Sequence, residues 1–234
     1  MFAQKMVRQF LQTCSFATNL DRKEFDPFFH PGMSRSDFLL FDRAVVCETK
    51  EVEKLAIEKQ VQKLASKGKM RTDVFNRYFC NSIINALRKG NDQIADTKRA
   101  LNLPNALGLI VLENCIAEKM SALTLASAAN QTMPDLASVA GILCLDFINY
   151  FERSDGDKVR PCQLLLRPTE AASALSRPCQ LIIEKFCKQQ GIPFRRGFNL
   201  DSADQLWHAR PDGTYQKYTA NITFAIERKA ANAD

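Results

Sequence analysis

Two carboxylates and one ammonium lie within a short stretch of this chain, Ser36-Asp37-Phe38-Leu39-Leu40-Phe41-Asp42-Arg43-Ala44-Val45-Val46-Cys47-Glu48-Thr49-Lys50. The apolar runs Phe38–Phe41 and Ala44–Cys47 flank the polar pair Asp42-Arg43, a pattern that predicts a tight β-hairpin with buried strands. Strand alternation puts Glu48 and Lys50 on one face and Thr49 on the other. Asp37 opens the first strand and Glu48 closes the second, so pairing would gather the three charges. Two hard oxygen donors suit Mg²⁺ or Mn²⁺, and a lysine beside them can orient or activate a water. The chemistry expected is metal-assisted hydrolysis of a phosphodiester. The competing reading is a surface hairpin that ends in solvated charges.

In these residues the chain resembles the PD-(D/E)XK nuclease superfamily, the restriction-endonuclease-like fold. The resemblance spans about residues 1–115. It implies metal ligation by Asp37 and Glu48, a catalytic Lys50, and a Thr49 carbonyl that completes the metal shell. The fold it implies is a three-layer-like α/β core with a mixed central sheet flanked by helices. The chain departs from the family pattern in three places. Ser36 stands where the family often has proline. The first predicted helix carries no carboxylate, Glu24 being the nearest. Gln60 and Gln62 are followed four residues on by Leu64 and Ser66, so the Gln-x-x-x-Tyr signature of one branch is missing.

The elements that must position these residues follow from periodicity. Phe2, Met6, Phe10 and Leu11 predict a helix over residues 2–17. Asp26-Pro27 and His30-Pro31-Gly32 mark a loop over residues 20–35. That loop places His30 either beside the metal site or on the surface. Glu51 to about Lys67 reads as a helix with the apolar stripe Ile57, Val61 and Leu64, ended by Gly68. On its neighbouring face Lys59, Lys63 and Lys67 recur at four-residue spacing, a row that either tracks a phosphate backbone or is simply solvated. Arg71–Lys89 predicts a further helix, built on Phe75, Phe79, Ile83 and Leu87 and stopped by Gly90, with a shorter piece over Asn91–Leu101. Leu107–Leu112 is apolar throughout, as a buried central strand requires, and Glu113 at its end is expected either to reach an active site or, the preferred reading, to turn to water. A helix over Ile116–Asn130 broken at Met133-Pro134, strands at Val139–Ile148 and Gln163–Leu166, and a helix over Glu170–Gln190 divided by Pro178 complete the pass.

Near the C-terminal end Pro211-Asp212-Gly213 separates two aromatic-rich runs, a strong hairpin cue. Arg195, Arg196, Arg210 and Lys217, with Trp207 and Tyr215, would there form a basic surface with stacking partners for bases; packing of the hairpin explains the same aromatics. One domain over residues 1–234 is expected, with a core of about 1–150 and a C-terminal elaboration of about 151–234. The net charge of +6 favours a polyanionic partner, which makes nucleic acid, DNA before RNA, the expected substrate. A homodimer would let two sites cut both strands of a duplex.

Eight scattered cysteines without a Cys-x-x-Cys pair read as reduced core thiols of a cytoplasmic protein. No run is long and apolar enough for a membrane partner. No Gly-rich phosphate loop or Gly-x-Ser-x-Gly elbow points to a small-molecule enzyme. The alternative to a nuclease is a non-catalytic nucleic-acid-binding or protein-interaction module on the same fold.

Overall fold

A computed structural model describes residues 6–52, 72–114, 122–146, 151–152, 158–191, 194–198, 206–209, 215–218 and 222–228. The chain opens with α1 (Met6–Gln12), whose Val7, Phe10 and Leu11 recur at helical spacing and are buried. A three-stranded meander follows: β1 (Ala17–Asn19), β2 (Phe38–Leu40) and β3 (Val45–Glu51), with a 3-10 turn at Lys23–Phe28 between the first two. Helix α2 (Thr72–Ala100) then returns the chain to β4 (Leu107–Asn114), and α3 (Ala122–Thr132) leads to β5 (Gly141–Asp146).

Strand β3 is where the sheet changes sense. It pairs antiparallel with β2, in the register Phe38↔Cys47, Leu39↔Val46 and Leu40↔Val45, and parallel with β4 from Val45↔Leu107 to Glu51↔Glu113. Parallel pairing continues from β4 to β5. Next come β6 (Phe151–Glu152) and β7 (Lys158–Leu166), then α4 (Glu170–Ser173), α5 (Ser176–Gln189), β8 (Phe194–Phe198), β9 (Leu206–Ala209), β10 (Tyr215–Tyr218) and β11 (Ile222–Arg228). Because β7 pairs antiparallel with β5, residues beyond 150 extend the same mixed open sheet.

Helices cover both faces of that sheet. On one, Leu39, Val46, Ile110 and Ile142 pack against Ile83, Leu87 and Ile94 of α2 and Leu125, Ala128 and Ala129 of α3. On the other, Phe38, Val45, Val111 and Leu143 pack against α1 and against Ile182, Ile183 and Phe186 of α5. Phe10 of α1 meets Phe186 of α5 edge to face at 5.5 Å and 81°, a contact worth about 1 kcal/mol beyond the area it buries.

Several elements differ from the sequence reading, each for a physical reason. Gly90 does not stop a helix: α2 runs through it from Thr72 to Ala100. A Cβ at Gly90 would meet Ile110 Cδ1 at 2.9 Å, so the glycine lets α2 lie close on β4. Glu51 belongs to β3 rather than to a following helix, and residues 53–71, with Lys59, Lys63 and Lys67, lie outside the described residues. Glu113 does not turn to water but is fully buried inside β4. Pro178 divides nothing, because it sits in the first turn of α5, where its missing N–H has no intrahelical partner to lose. The break falls earlier, at Ala174-Leu175 between α4 and α5. Cys47, Cys144, Cys162, Cys179 and Cys187 are free and buried. No helix among the described residues is long and apolar enough to cross a membrane.

Candidate functional site

The register of β2 and β3 places Asp37, one residue before Phe38, opposite Glu48, one residue after Cys47. The two residues lock this juncture with exchanged side-chain bonds. The Asp37 N–H donates to Glu48 Oε2 at 3.0 Å. The Thr49 N–H and hydroxyl donate in turn to Asp37 Oδ2 at 2.9 and 2.5 Å. Asp37 is 6% exposed and Glu48 2%, so the solvated-hairpin alternative does not describe these carboxylates.

Each carboxylate also has a cation. Lys50 Nζ lies 2.6 Å from Glu48 Oε1, on the face of β3 that meets α2. Arg8 of α1 reaches Asp37 Oδ1 at 3.1 Å while also pairing with Asp21 at 2.5 Å. Burial, and then the neighbouring Asp37 charge, push the Glu48 carboxyl up to about 7, against the opposing pull of the Lys50 ammonium. A buried carboxylate raised so far lacks compensating positive charge even beside a lysine.

The same end of the sheet carries further buried polar groups. Glu113 Oε2 accepts from the Val7 N–H at 3.3 Å, which seats the first turn of α1 and with it Arg8. Asn114 donates to Asp146 Oδ1 at 3.3 Å across the ends of β4 and β5. These groups lie at the carboxyl ends of the parallel strands, where open α/β sheets bind ligands.

A Mg²⁺ ion takes one or two carboxylates and fills its other positions with water and phosphate oxygens. Asp37 and Glu48 are the two carboxylates here that could hold such an ion. Among the described residues no group of three or more His, Cys, Asp or Glu is arranged as a metal cage.

The structure therefore brings Asp37, Glu48, Thr49 and Lys50 together and leaves other sequence-predicted residues apart. Glu24 is exposed and pairs with Arg22 at 4.0 Å, and His30 is exposed in its loop. Arg195 and Arg196 fall on β8, and Lys217 on β10; these strands sit on separate branches, through β11 and through β6 and β9. Arg210 lies outside the described residues, as does Pro211-Asp212-Gly213 between the paired strands β9 and β10.

Sequence reasoning missed Arg8, Gln93 and the burial of Glu113. Gln93 Oε1 accepts from Lys50 Nζ at 2.5 Å. Its signal was present as the polar set Gln93, Asp96 and Thr97, at helical spacing beside the core residue Ile94. In comparisons with known proteins, the chain matches no family model, no curated protein and no solved structure.

Proposed function

We propose that this chain is a metal-dependent phosphodiesterase that hydrolyses nucleic acid, DNA before RNA, on a restriction-endonuclease-like core. The observation that carries the reading is the pair of buried carboxylates Asp37 and Glu48, hydrogen-bonded to each other's strand and to the half-buried Lys50 in the second half of β3. The order α1, β1–β3, α2, β4, with β4 parallel to β3, supports the same core.

Asp37 and Glu48 would hold the metal, and the Thr49 carbonyl would complete its shell. A bound Mg²⁺ supplies a more acidic water and charge neutralisation at phosphorus. Lys50 carries three N–H donors. Two are directed to Glu48 and Gln93, and the third remains to orient the attacking water or to steady negative charge on the phosphoryl oxygens. Arg8 shares Asp37 with Asp21, so it can release Asp37 to a metal without becoming an isolated charge.

One observation favours a second reading, a non-catalytic binding module. All four carboxylate oxygens of Asp37 and Glu48 already have protein partners. Cleavage of supercoiled plasmid and of labelled single strands, with Mg²⁺, Mn²⁺ or EDTA, separates the two. The nuclease predicts EDTA-sensitive cutting that Glu48→Gln and Asp37→Asn abolish while remaining folded by circular dichroism. It also predicts that Mg²⁺ raises the Tm of the wild type and not of Asp37→Asn, since a ligand of the native state stabilises it. Salt-sensitive binding without metal-dependent cleavage would transfer the assignment to the module.

A further inference from the structure

We propose that Gln93 is a positioning residue that fixes the Lys50 ammonium and ties it to the segment delivering Asp37; its catalytic consequence rests on the phosphodiesterase reading. Helix α2 presents Gln93, Asp96 and Thr97 at positions i, i+3 and i+4, which share one helix face. Each holds one of three consecutive residues leading into β2. Asp96 Oδ2 accepts from the Ser34 N–H and hydroxyl, both at 2.9 Å. Gln93 Nε2 donates to the Arg35 carbonyl at 2.8 Å. Thr97 Oγ1 accepts from the Ser36 N–H at 2.8 Å.

From its other side the segment is held by Arg35, which donates to the Leu20 carbonyl and to Asp26, both at 2.9 Å, and stacks over Phe29 at 4.4 Å. Asp37 is thus delivered by a backbone secured at every residue before it.

Gln93 differs from its two neighbours in that its second partner, Lys50, lies on β3. Its amide has chemically distinct ends, and the Arg35 carbonyl takes the N–H end. The carbonyl end must then face Lys50, since the reversed amide would set acceptor against acceptor at Arg35 and donor against donor at Lys50. Lys50 Nζ lies 2.5 Å from that carbonyl oxygen and 2.6 Å from Glu48 Oε1. A lysine side chain otherwise samples many rotamers; two acceptors held by two different elements leave it one position. Gly90, one turn earlier on α2, lets the helix lie this close to the sheet, since a Cβ there would stand 2.9 Å from Ile110 Cδ1. One amide therefore couples the strand bearing Glu48 and Lys50 to the segment bearing Asp37.

The test is proton exchange at the Lys50 ammonium, observed by NMR on the ¹⁵N-labelled full chain and assigned with Lys50→Met. Ammonium protons give a signal only where hydrogen bonds slow their exchange with water. Gln93→Met keeps the volume and removes the amide, and should speed exchange about tenfold or erase the signal. Gln93→Asn, one methylene shorter, should do the same and serves if the first variant does not fold. Asp96→Ala releases Ser34 without touching Lys50 and should leave the signal in place. In the cleavage assay Gln93→Met should lower kcat about tenfold with KM unchanged, the mark of an interaction used in the transition state.

Unchanged exchange in both Gln93 variants overturns the assignment, as does a wild type with no protected ammonium. Equal acceleration in Asp96→Ala also overturns it, because the segment rather than the amide would then hold the lysine. Faster exchange in a protein that cleaves nothing upholds the tether and refutes the phosphodiesterase reading.

Discussion

The two ends of the central sheet are built on opposite terms. At the end where β3 begins, between the β2–β3 turn and the start of β4, apolar packing and backbone hydrogen bonds close the structure. Phe16 and Phe41 stack at 4.8 Å, the Phe41 N–H reaches the Phe16 carbonyl at 2.8 Å, and the Leu107 N–H reaches the Ala44 carbonyl at 2.9 Å. At the other end, three residues along the same strand, Glu48 and its neighbours bury charge instead. Burying a carboxylate is costly unless it is compensated, and the Glu48 carboxyl, raised to about 7, reports incomplete compensation. One end is arranged for stability. The other holds buried charge at a cost in stability, which the phosphodiesterase reading explains by ligand binding.

The largest effects belong to the charged end. Glu48→Gln should reduce metal-dependent cleavage by at least about a hundredfold while making the metal-free protein more stable at pH 8. The sign follows from the raised carboxyl. Stability from Glu48 is fully present below the unfolded value of 4.5 and is lost as pH rises to about 7. Urea denaturation without metal should therefore show wild-type stability falling by about 3 kcal/mol relative to Glu48→Gln between pH 4.5 and 7. A difference independent of pH would mean that Glu48 is not electrostatically strained.

Lys50→Met comes next. It leaves Glu48 buried without its ammonium and should lose about 3 kcal/mol at pH 8. Most of that loss should vanish at pH 5, where the carboxyl is protonated. Adding Glu48→Gln to it should restore stability at pH 8, a coupling that a double-mutant cycle measures directly.

The charged end was legible in the sequence as residue types and poorly legible as environment. Asp37, Glu48 and Lys50 stood out because polar residues interrupted two apolar strands, and strand alternation fixed which of them share a face. The burial of Glu113 was not readable, because a strand-end acid looks the same whether it meets water or the first turn of a distant helix. Arg8 and Gln93 act from 29 and 43 residues away from their partners Asp37 and Lys50, and no local pattern encodes such pairings. Gly90 was misread for a related reason: its helix-breaking tendency is local, while the close approach of α2 to Ile110 and Lys50 that overrides it is tertiary. The mixed sheet with helices on both faces followed from the order of the elements, which is local information repeated along the chain.

At the closed end Gly108 tests packing alone. It is the second residue of β4, and a Cβ there would lie 2.0 Å from the Ser138 carbonyl oxygen and 3.0 Å from Ile94 Cγ2. Backbone cannot yield as a flexible side chain can, so Gly108→Ala should destabilise by about 2–3 kcal/mol. Cleavage per folded molecule should be unchanged. A selective loss of activity in fully folded Gly108→Ala would show that the two ends are coupled through β4.

The smallest effect distinguishes two kinds of strain. Phe41, Asp42 and Arg43 hold φ of 52°, 53° and 70° in the β2–β3 turn, a left-handed conformation that disfavours residues with a Cβ. Strained backbone often marks function, but this turn lies at the end of the sheet away from Asp37 and Glu48. Arg43→Gly relieves the strain in the folded state and gives part of the gain back through a freer unfolded chain. The net stabilisation should be about 0.5 kcal/mol, a rise in Tm of about 1–2 °C by calorimetry, with cleavage unaltered. On the phosphodiesterase reading, relieving the Glu48 charge should stabilise the protein and end cleavage, whereas relieving the turn should stabilise it and leave cleavage alone. If Arg43→Gly instead lowered cleavage, the strained turn would belong to the site, and the division of labour along β3 would fail at the strand where it is drawn.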